Sequence, residues 1–274
     1  MSLTATASKR RCVPIEPLAR WWTGLRRHLS VILEIFALFY RLLLATFSSR
    51  TGFPLLLRES ARQVYLTAVK GGFLVCLTAL ILGLLVIVHT TPHLIEIQGE
   101  EFIGQLLVII VIREVGPVLT AFFVLLRSGT AIIVEIGIMA VGRELEALQI
   151  MGIDPQRFLG LPRFWGLTAS MVALFILSAI TAVLGGFIFA QIFAEIYWEG
   201  FWLSLLNALG WLDLMVGLAK VILFGMLIAT VSLYCGLQAG RQLNSVVRQT
   251  SQGAVLSLLF CGAVDAFLSS VFYL

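Results

Sequence analysis

The chain has 274 residues, of which 59% are hydrophobic and only 12% are charged. Soluble proteins carry about 25% charged residues, so this composition excludes an ordinary soluble domain and indicates an integral membrane protein. The formal net charge is +4, and eleven of the nineteen Lys and Arg residues lie within residues 1–70. Basic residues concentrated beside apolar sequence favour membrane lipid headgroups over nucleic acid as the partner.

Residues 1–70 predict a basic cytoplasmic segment with an amphipathic helix at the membrane interface. The apolar face at its start is formed by Leu18, Trp21, Trp22, Leu25 and Leu29, a spacing typical of helices that lie in the headgroup plane. The apolar run 31–47 is long enough to suggest a sixth crossing, but Glu34 and Arg41 interrupt it and basic residues flank it. We expect an interfacial helix; a basic anchor without a mechanistic role is the alternative.

Five apolar segments after Lys70 are long enough to cross a bilayer as helices. They are 71–90, 105–140, 164–194, 214–236 and 253–274. We therefore predict an all-α integral membrane protein in which residues 71–274 form one five-span domain. The loops that follow the second and fourth spans carry arginines, whereas the other two loops carry no Lys or Arg. The positive-inside rule then predicts an N-terminus on the cytoplasmic side and a C-terminus on the opposite side.

The second segment is too long to be a simple span. A straight helix over 105–140 would reach about 54 Å, nearly twice a hydrocarbon core of about 30 Å. Pro117 has no backbone N–H for the carbonyl of Arg113, so Gly116 and Pro117 predict a helix kink. Ser128–Gly129 marks a second weak point. Because a kinked backbone within the bilayer needs cover from protein or water, we expect this helix to line an interior path.

Four ionisable residues lie in or beside this helix, namely Arg113, Glu114, Arg127 and Glu135. Each would cost about 2.5–3.5 kcal/mol at the bilayer centre, so we expect all four to face the interior and to be paired. Arg113 and Glu114 project about 100° apart and cannot form a helical ion pair with each other. Their partners must lie elsewhere, on this chain or on a second subunit. One interpretation makes the four residues contacts for substrate, and the other makes them a buried brace between helices.

Two further ionisable residues lie within the fourth and fifth predicted spans. Lys220 is expected to extend to the interface, which would make it uninformative about function. Asp265 is expected to hydrogen-bond a neighbouring helix rather than to relay protons. His89 and His93 are too few for a metal cluster, so no metal site is predicted.

Residues 142–158 predict a short amphipathic helix between the second and third spans. Leu145 and Leu148 share one face with Gly152, which is a suitable C-terminal stop, and the Asp-Pro pair that follows prevents continuation. Exposed apolar side chains on such a helix require cover from the membrane or from a partner protein. Docking on a partner and a loop lying among headgroups are both open interpretations.

Three stretches of the chain share one family pattern. They are RQVYLTAVKGGFLVCLTALILG, REVGPVLTAFFVLLRSGTAIIVEIGIMAVGRELEALQIMGIDPQRFLGLPR and GAVLSLLFCGAVDAFLSSVFYL. These stretches resemble the MlaE/YrbE family of ABC-transporter permeases, from about Arg62 to the end of the chain. The resemblance implies a homodimeric, five-span permease of a bacterial-type inner membrane with an N-terminal interfacial helix. It also implies cytoplasmic P-loop ATPase subunits that bind ATP and Mg²⁺, a periplasmic MCE-domain protein, and transport of phospholipid or another hydrophobic molecule.

The same resemblance implies a coupling helix within 142–154 that docks on the ATPase. Its site residues would be Glu144, Glu146, Ala147, Leu148, Met151, Gly152 and Asp154. Arg113 and Glu114 would lie near the lipid path. The chain departs from the family at four positions. Ile132, Ile133 and Val134 stand where members usually carry small residues, and Ile138 stands where they usually carry threonine.

Energy for transport has to come from outside this chain. The sequence has no G-x-x-x-x-G-K-[ST] motif, so we predict a transport subunit that binds no cofactor and depends on a separate ATPase. The alternative is an ion-coupled secondary transporter with Glu114, Glu135 and Asp265 as a relay, although the internal repeats typical of such folds are missing. An intramembrane enzyme is not favoured, since the sequence has no Ser-His, Cys-His or HExxH arrangement.

Overall fold

Helices account for all regular secondary structure in the described residues of the computed structural model, which are 16–48, 53–96, 103–194, 198–240 and 242–273. The predicted all-α fold is confirmed. The α-helices are α1 (Glu16–Ser48), α2 (Phe53–Val64), α3 (Lys70–Glu96), α4 (Ile103–Leu107), α5 (Gly116–Val124), α6 (Thr130–Val141), α7 (Glu144–Ile150), α8 (Pro155–Ala194), α9 (Trp198–Ala208), α10 (Trp211–Leu237) and α11 (Leu243–Tyr273). Three π-helical segments connect some of them, π1 (Tyr65–Val69), π2 (Val108–Val115) and π3 (Leu125–Gly129).

Five helical runs within the described residues are long and apolar enough to cross a membrane, which agrees with the predicted number. They are Leu56–Thr91, Gly104–Val141, Pro155–Ile192, Trp211–Leu237 and Leu243–Phe272. All five begin earlier than predicted, the second by only one residue. The first starts within α2 and passes through π1 into α3 without a break, so the predicted domain boundary at residue 70 lies inside one continuous helical run. The charged residues of α2 lower its hydropathy, so the sequence placed α2 outside the span. The segment is still helical, because α2 packs along the start of α8.

The N-terminal helix α1 is a single helix of 33 residues rather than two segments. Its second half buries Ile35, Leu38, Leu42 and Ala45, and it contacts both α8 and α10. The indole N–H of Trp165 on α8 donates a 3.1 Å hydrogen bond to the Thr46 hydroxyl of α1. The predicted apolar stripe from Leu18 to Leu29 lies outside the side chains that the structure describes.

Helix α8 is the centre of the bundle and packs along α2, α3 and α10, while α10 also contacts α6 and α11. Small residues allow these close approaches, as is common in membrane helix bundles. Gly137 on α6 lies against Ala239 and Val246, so the end of the second span adjoins the junction of the fourth and fifth. That end of the bundle also carries α7, and we call it the α7 end.

Helices α3 and α8 approach each other closely at Gly83. A Cβ atom at this position would lie 2.3 Å from the carbonyl oxygen of Ala182 and 3.0 Å from the backbone nitrogen of Gly186. Gly83→Ala is therefore expected to lower the free energy of unfolding by about 1–3 kcal/mol, the usual cost of overpacking, in an SDS titration in micelles. Gly262→Ala is the matched control, because a Cβ there would meet nothing within 4 Å. Equal stability of the two variants would contradict the close approach.

Candidate functional site

The second span stays helical from Gly104 to Val141, but two π-helical segments interrupt its α-helical hydrogen bonding. The eight residues of π2 end directly before Gly116 and Pro117, and π3 covers the second predicted weak point at Ser128–Gly129. In an α-helix the carbonyl of Arg113 would accept a hydrogen bond from residue 117, but proline has no N–H to donate. The ammonium of Lys220 on α10 donates a 2.8 Å hydrogen bond to this carbonyl instead.

Lys220 also holds two carboxylates on neighbouring helices. Its side chain is 0% exposed, and its Nζ lies 3.4 Å from Glu114 Oε2 and 3.0 Å from Asp265 Oδ1. Nζ donates a 2.7 Å hydrogen bond to the Ser269 hydroxyl, which in turn lies 2.9 Å from Glu114 Oε1 as a donor. We call these four residues the Lys220 cluster. It joins the second, fourth and fifth spans through one buried cation.

Arg113 pairs with Asp213, which lies on α10 like Lys220. Its Nε lies 2.7 Å from Asp213 Oδ1 and its Nη2 lies 2.9 Å from Oδ2, a two-point contact that suits a guanidinium and a carboxylate. Asp213 also accepts a 3.2 Å hydrogen bond from the backbone of Gly210 at the start of α10. Asp213 and Lys220 are seven residues apart and therefore share one face of α10. Two adjacent residues of the second span thus bind two residues of α10 that lie about two helical turns apart.

These contacts test what the sequence predicted for the ionisable residues of the second, fourth and fifth spans. Arg113 and Glu114 do find partners elsewhere, as predicted, and those partners lie on this chain. The expectation that Lys220 extends to the interface is wrong. A long side chain extends to the interface when water is its best partner, whereas here the Arg113 carbonyl and two carboxylates bind the ammonium inside the bundle. Asp265 bonds a neighbouring helix, as expected.

The four charged residues predicted along the second span do not form one site. Arg127 Nη1 donates to the carbonyl oxygen of Lys70 on α3. Glu135 lies 3.0 Å from Arg163 Nη2 on α8, beside a cavity of about 310 Å³ at the α7 end. Thirteen residues separate Glu114 from Arg127, which is about 20 Å along a helix. All four are paired, which both interpretations require, and their contact with substrate stays a prediction.

Helix α7 is held at both ends by local backbone geometry. Arg143 precedes it with a left-handed backbone (φ 59°), and Gly152 follows it with φ 76°. The backbone N–H groups of Gly152 and Ile153 donate to the carbonyls of Gln149 and Leu148 at 3.0 and 2.9 Å. This pair of bonds is a Schellman motif, which requires a left-handed residue where Gly152 stands. The predicted stop of the helix is thereby confirmed.

Helix α7 and the residue that follows it expose two large apolar side chains. Ile150 is 87% exposed and Met151 is 65% exposed, and none of the residues of α7 is buried. Asp154 has a local role, since its carboxylate accepts a 3.0 Å hydrogen bond from the backbone of Gln156 and so caps α8. Pro155 begins α8, where its missing N–H costs nothing. The chain therefore presents a short amphipathic helix with exposed apolar side chains at this end of the bundle.

Five apolar helical runs with buried ion pairs between them define a multi-pass helical membrane protein. Residues 60–271 match the family described as Permease MlaE. The chain belongs to the MlaE permease family. The resemblance of its three stretches to that family is confirmed.

Individual relatives support the same assignment. The chain is 27% identical to the intermembrane phospholipid transport system permease protein MlaE of Haemophilus influenzae, over 82% of this chain and 85% of that protein. It is 26% identical to a probable ABC transporter permease of Rickettsia felis over 80% and 85% of the two chains. A probable ABC transporter permease of Synechocystis sp. is 27% identical over 77% and 81%. The chain is thus a permease subunit rather than an enzyme, and the ion-coupled alternative has no support.

Proposed function

We propose that this chain is the membrane subunit of an ATP-driven transporter that moves phospholipid, or another hydrophobic molecule, between an inner membrane and the outer envelope. The observation that carries the proposal is the extent of the match to the Haemophilus protein, which covers 82% of this chain. The N-terminus lies in the cytoplasm and the C-terminus in the periplasm in this arrangement, since the basic loops fall at the α7 end.

The α7 end docks on cytoplasmic P-loop ATPase subunits, which bind ATP and Mg²⁺. The contact residues are Glu144, Glu146, Ala147, Leu148, Met151, Gly152 and Asp154. Exposed apolar side chains at Ile150 and Met151 support this role, because burial against a partner removes them from water. The short backbone-bonded turns at both ends of α7 connect it directly to α6 and α8, so a movement of the ATPase would pass to these two helices.

A second copy of the chain completes the transport path. Helix α11 supports this proposal, because it is the span with the fewest residues buried within the chain and its exposed side chains include Leu258, Phe267 and Val271. Closed two-fold dimers are the commonest symmetric assemblies. A periplasmic MCE-domain protein receives or delivers the lipid at the end opposite α7.

The lipid path passes the Lys220 cluster. Glu114 supports this placement, since its side chain is 40% exposed although Lys220 is fully buried beside it. Arg113, Glu114, Arg127 and Glu135 are spread along the whole second span, so they are able to contact a headgroup at successive depths. No covalent chemistry is needed, because closure of an apolar cavity driven by nucleotide is enough to displace the acyl chains.

Purification of the tagged chain in mild detergent tests this proposal. We expect a P-loop ATPase, an MCE-domain protein and bound phospholipid to co-purify, and we expect ATP-dependent transfer of labelled phospholipid after reconstitution. Transport of lipid by the chain alone in proteoliposomes, driven by an ion gradient and indifferent to ATP, would instead support the secondary transporter. The P-loop protein in the purified sample is the component that separates the two mechanisms.

A further inference from the structure

A cavity of about 850 Å³ lies at the α7 end between α1, the end of α10 and the first half of α11. Val31 of α1 and Gln238 of α10 form one side of it, and a single face of α11 forms the other. None of its lining residues belongs to the Lys220 cluster or to α7. The cavity is therefore distinct from the buried ion pairs and from the proposed ATPase contact.

The α11 face that lines this cavity changes from polar to apolar along the helix. Its first turns contribute Ser245, Arg248, Gln249 and Gln252, and its later turns contribute Val255, Leu256 and Leu259. Since α11 begins at Leu243 at the α7 end, the polar part lies at the membrane surface and the apolar part lies deeper. Arg248 and Leu259 are about 16 Å apart along the helix. This order of groups matches the headgroup and the upper acyl chain of a lipid.

The charges around the cavity favour an anionic group. Arg248 forms no ion pair with any carboxylate of the described residues. The carboxylate beside the cavity wall, Glu34 of α1, is already engaged, because it accepts hydrogen bonds of 2.7 Å from the Tyr234 hydroxyl and 3.3 Å from the Gln238 amide. The cavity thus offers one guanidinium together with amide and hydroxyl groups. Guanidinium groups bind phosphate oxygens with strong, charge-assisted hydrogen bonds.

We propose that this cavity binds the phosphate headgroup of a membrane phospholipid on the α7 side of the bilayer. Arg248 binds the phosphate, and the acyl chain follows Val255 and Leu259 into the membrane. Glu34 has a positioning role, since its bonds to α10 hold α1 in place as a wall of the site. The site rests on the proposed function, because it adds a second place at which the transported class of molecule meets the chain.

Photolabelling of the full chain in nanodiscs tests the site. The probe is a phosphatidylglycerol with a diazirine near the glycerol end of one acyl chain, and the labelled residues are mapped by mass spectrometry. We expect adducts on α11 between residues 248 and 259. A diacylglycerol with the same diazirine, which lacks the phosphate, is expected to label this segment about tenfold less, the effect of losing a hydrogen bond to a charged group.

Variants separate a built site from general attraction to an anionic membrane. Arg248→Gln is expected to lower the yield of adducts on α11 about tenfold, and Arg248→Lys is expected to retain most of it. Arg58→Gln is the matched control, because Arg58 is exposed at the same end of the bundle but does not line the cavity. Equal yields for Arg248→Gln and Arg58→Gln, or equal labelling by the two probes, would overturn the proposal.

A second copy of the chain is the competing occupant. A photoreactive amino acid at Gln252 is expected to crosslink to lipid in the assembled complex, and a crosslink to a second copy instead would reject the lipid site. ATP-driven transfer is measured in the same preparation. Labelling without transfer would retain this site and reject the proposed function, whereas transfer without labelling would reject this site alone.

Discussion

Lys220→Met is expected to lower the free energy of unfolding by about 3–5 kcal/mol, the typical cost of removing one partner of a buried ion pair. The substitution leaves the carboxylates of Glu114 and Asp265 without their shared cation and the Arg113 carbonyl without a donor. The loss is measured in an SDS titration of the micelle-bound protein. Lys70→Met is the control, because the Lys70 side chain is exposed and a change within about 0.5 kcal/mol is expected.

A double-mutant cycle with Pro117→Ala isolates the bond to the carbonyl. Alanine at 117 supplies the backbone N–H that proline lacks, so the Arg113 carbonyl no longer depends on Lys220. The cost of Lys220→Met is therefore expected to be about 1 kcal/mol smaller in the Pro117→Ala background. The coupling arises because Lys220 and residue 117 compete for this one carbonyl. Simple additivity of the two substitutions would show that the ammonium acts on the carboxylates alone.

The sequence was sufficient to predict the five spans and the place near Pro117 where the π-helical segment of the second one ends. Apolar length identifies a span because the bilayer requires about twenty apolar residues, and Pro117 marks a change in hydrogen bonding because its missing N–H is a local property. The span boundaries were less predictable. Charged residues in α2, such as Arg58 and Glu59, end a hydropathy window, yet the helix continues because its other face packs on α8.

The buried ion pairs of the second span with α10 could only be predicted in part. Arg113 and Glu114 were recognised because charges are costly in hydrocarbon, and that cost also required that partners exist. It did not identify the partners, which lie about one hundred residues away in sequence. One further signal was present in the sequence. Asp213 and Lys220 are seven residues apart on one helix face and carry a negative and a positive charge. Arg113 and Glu114 carry the opposite charges in the same order, so the two pairs are complementary.

The position of Asp213 explains why the sequence did not reveal this pairing. The predicted fourth span began at residue 214, which placed Asp213 in a loop outside the membrane. In the structure α10 begins at Trp211, and Asp213 lies in its first turn with only 6% of its side chain exposed. An error of three residues in a helix boundary therefore removed one member of a buried ion pair from consideration. Arg113 then had no partner of opposite charge near its depth.

Met151→Asp is expected to abolish the stimulation of ATP hydrolysis by phospholipid in the reconstituted complex while the permease still inserts and folds. Met151 is 65% exposed and follows the last turn of α7, where the proposed ATPase contact would bury it. A carboxylate at this position would have to lose its hydration without a partner to compensate, which costs several kcal/mol. The measurements are the ATPase rate with and without lipid, and the amount of ATPase that co-purifies with the chain.

The matched control for this substitution is Gln149→Asp. Gln149 is exposed on the same short helix, so the change adds the same charge at the same end of the bundle without removing an apolar contact. We expect Gln149→Asp to retain most of the stimulation, because its side chain is polar in the native chain and needs no apolar partner. Lipid-stimulated hydrolysis that survives Met151→Asp would contradict docking through the apolar surface of α7. Equal losses in the two variants would mean that the ATPase senses the charge of this helix rather than its apolar side chains.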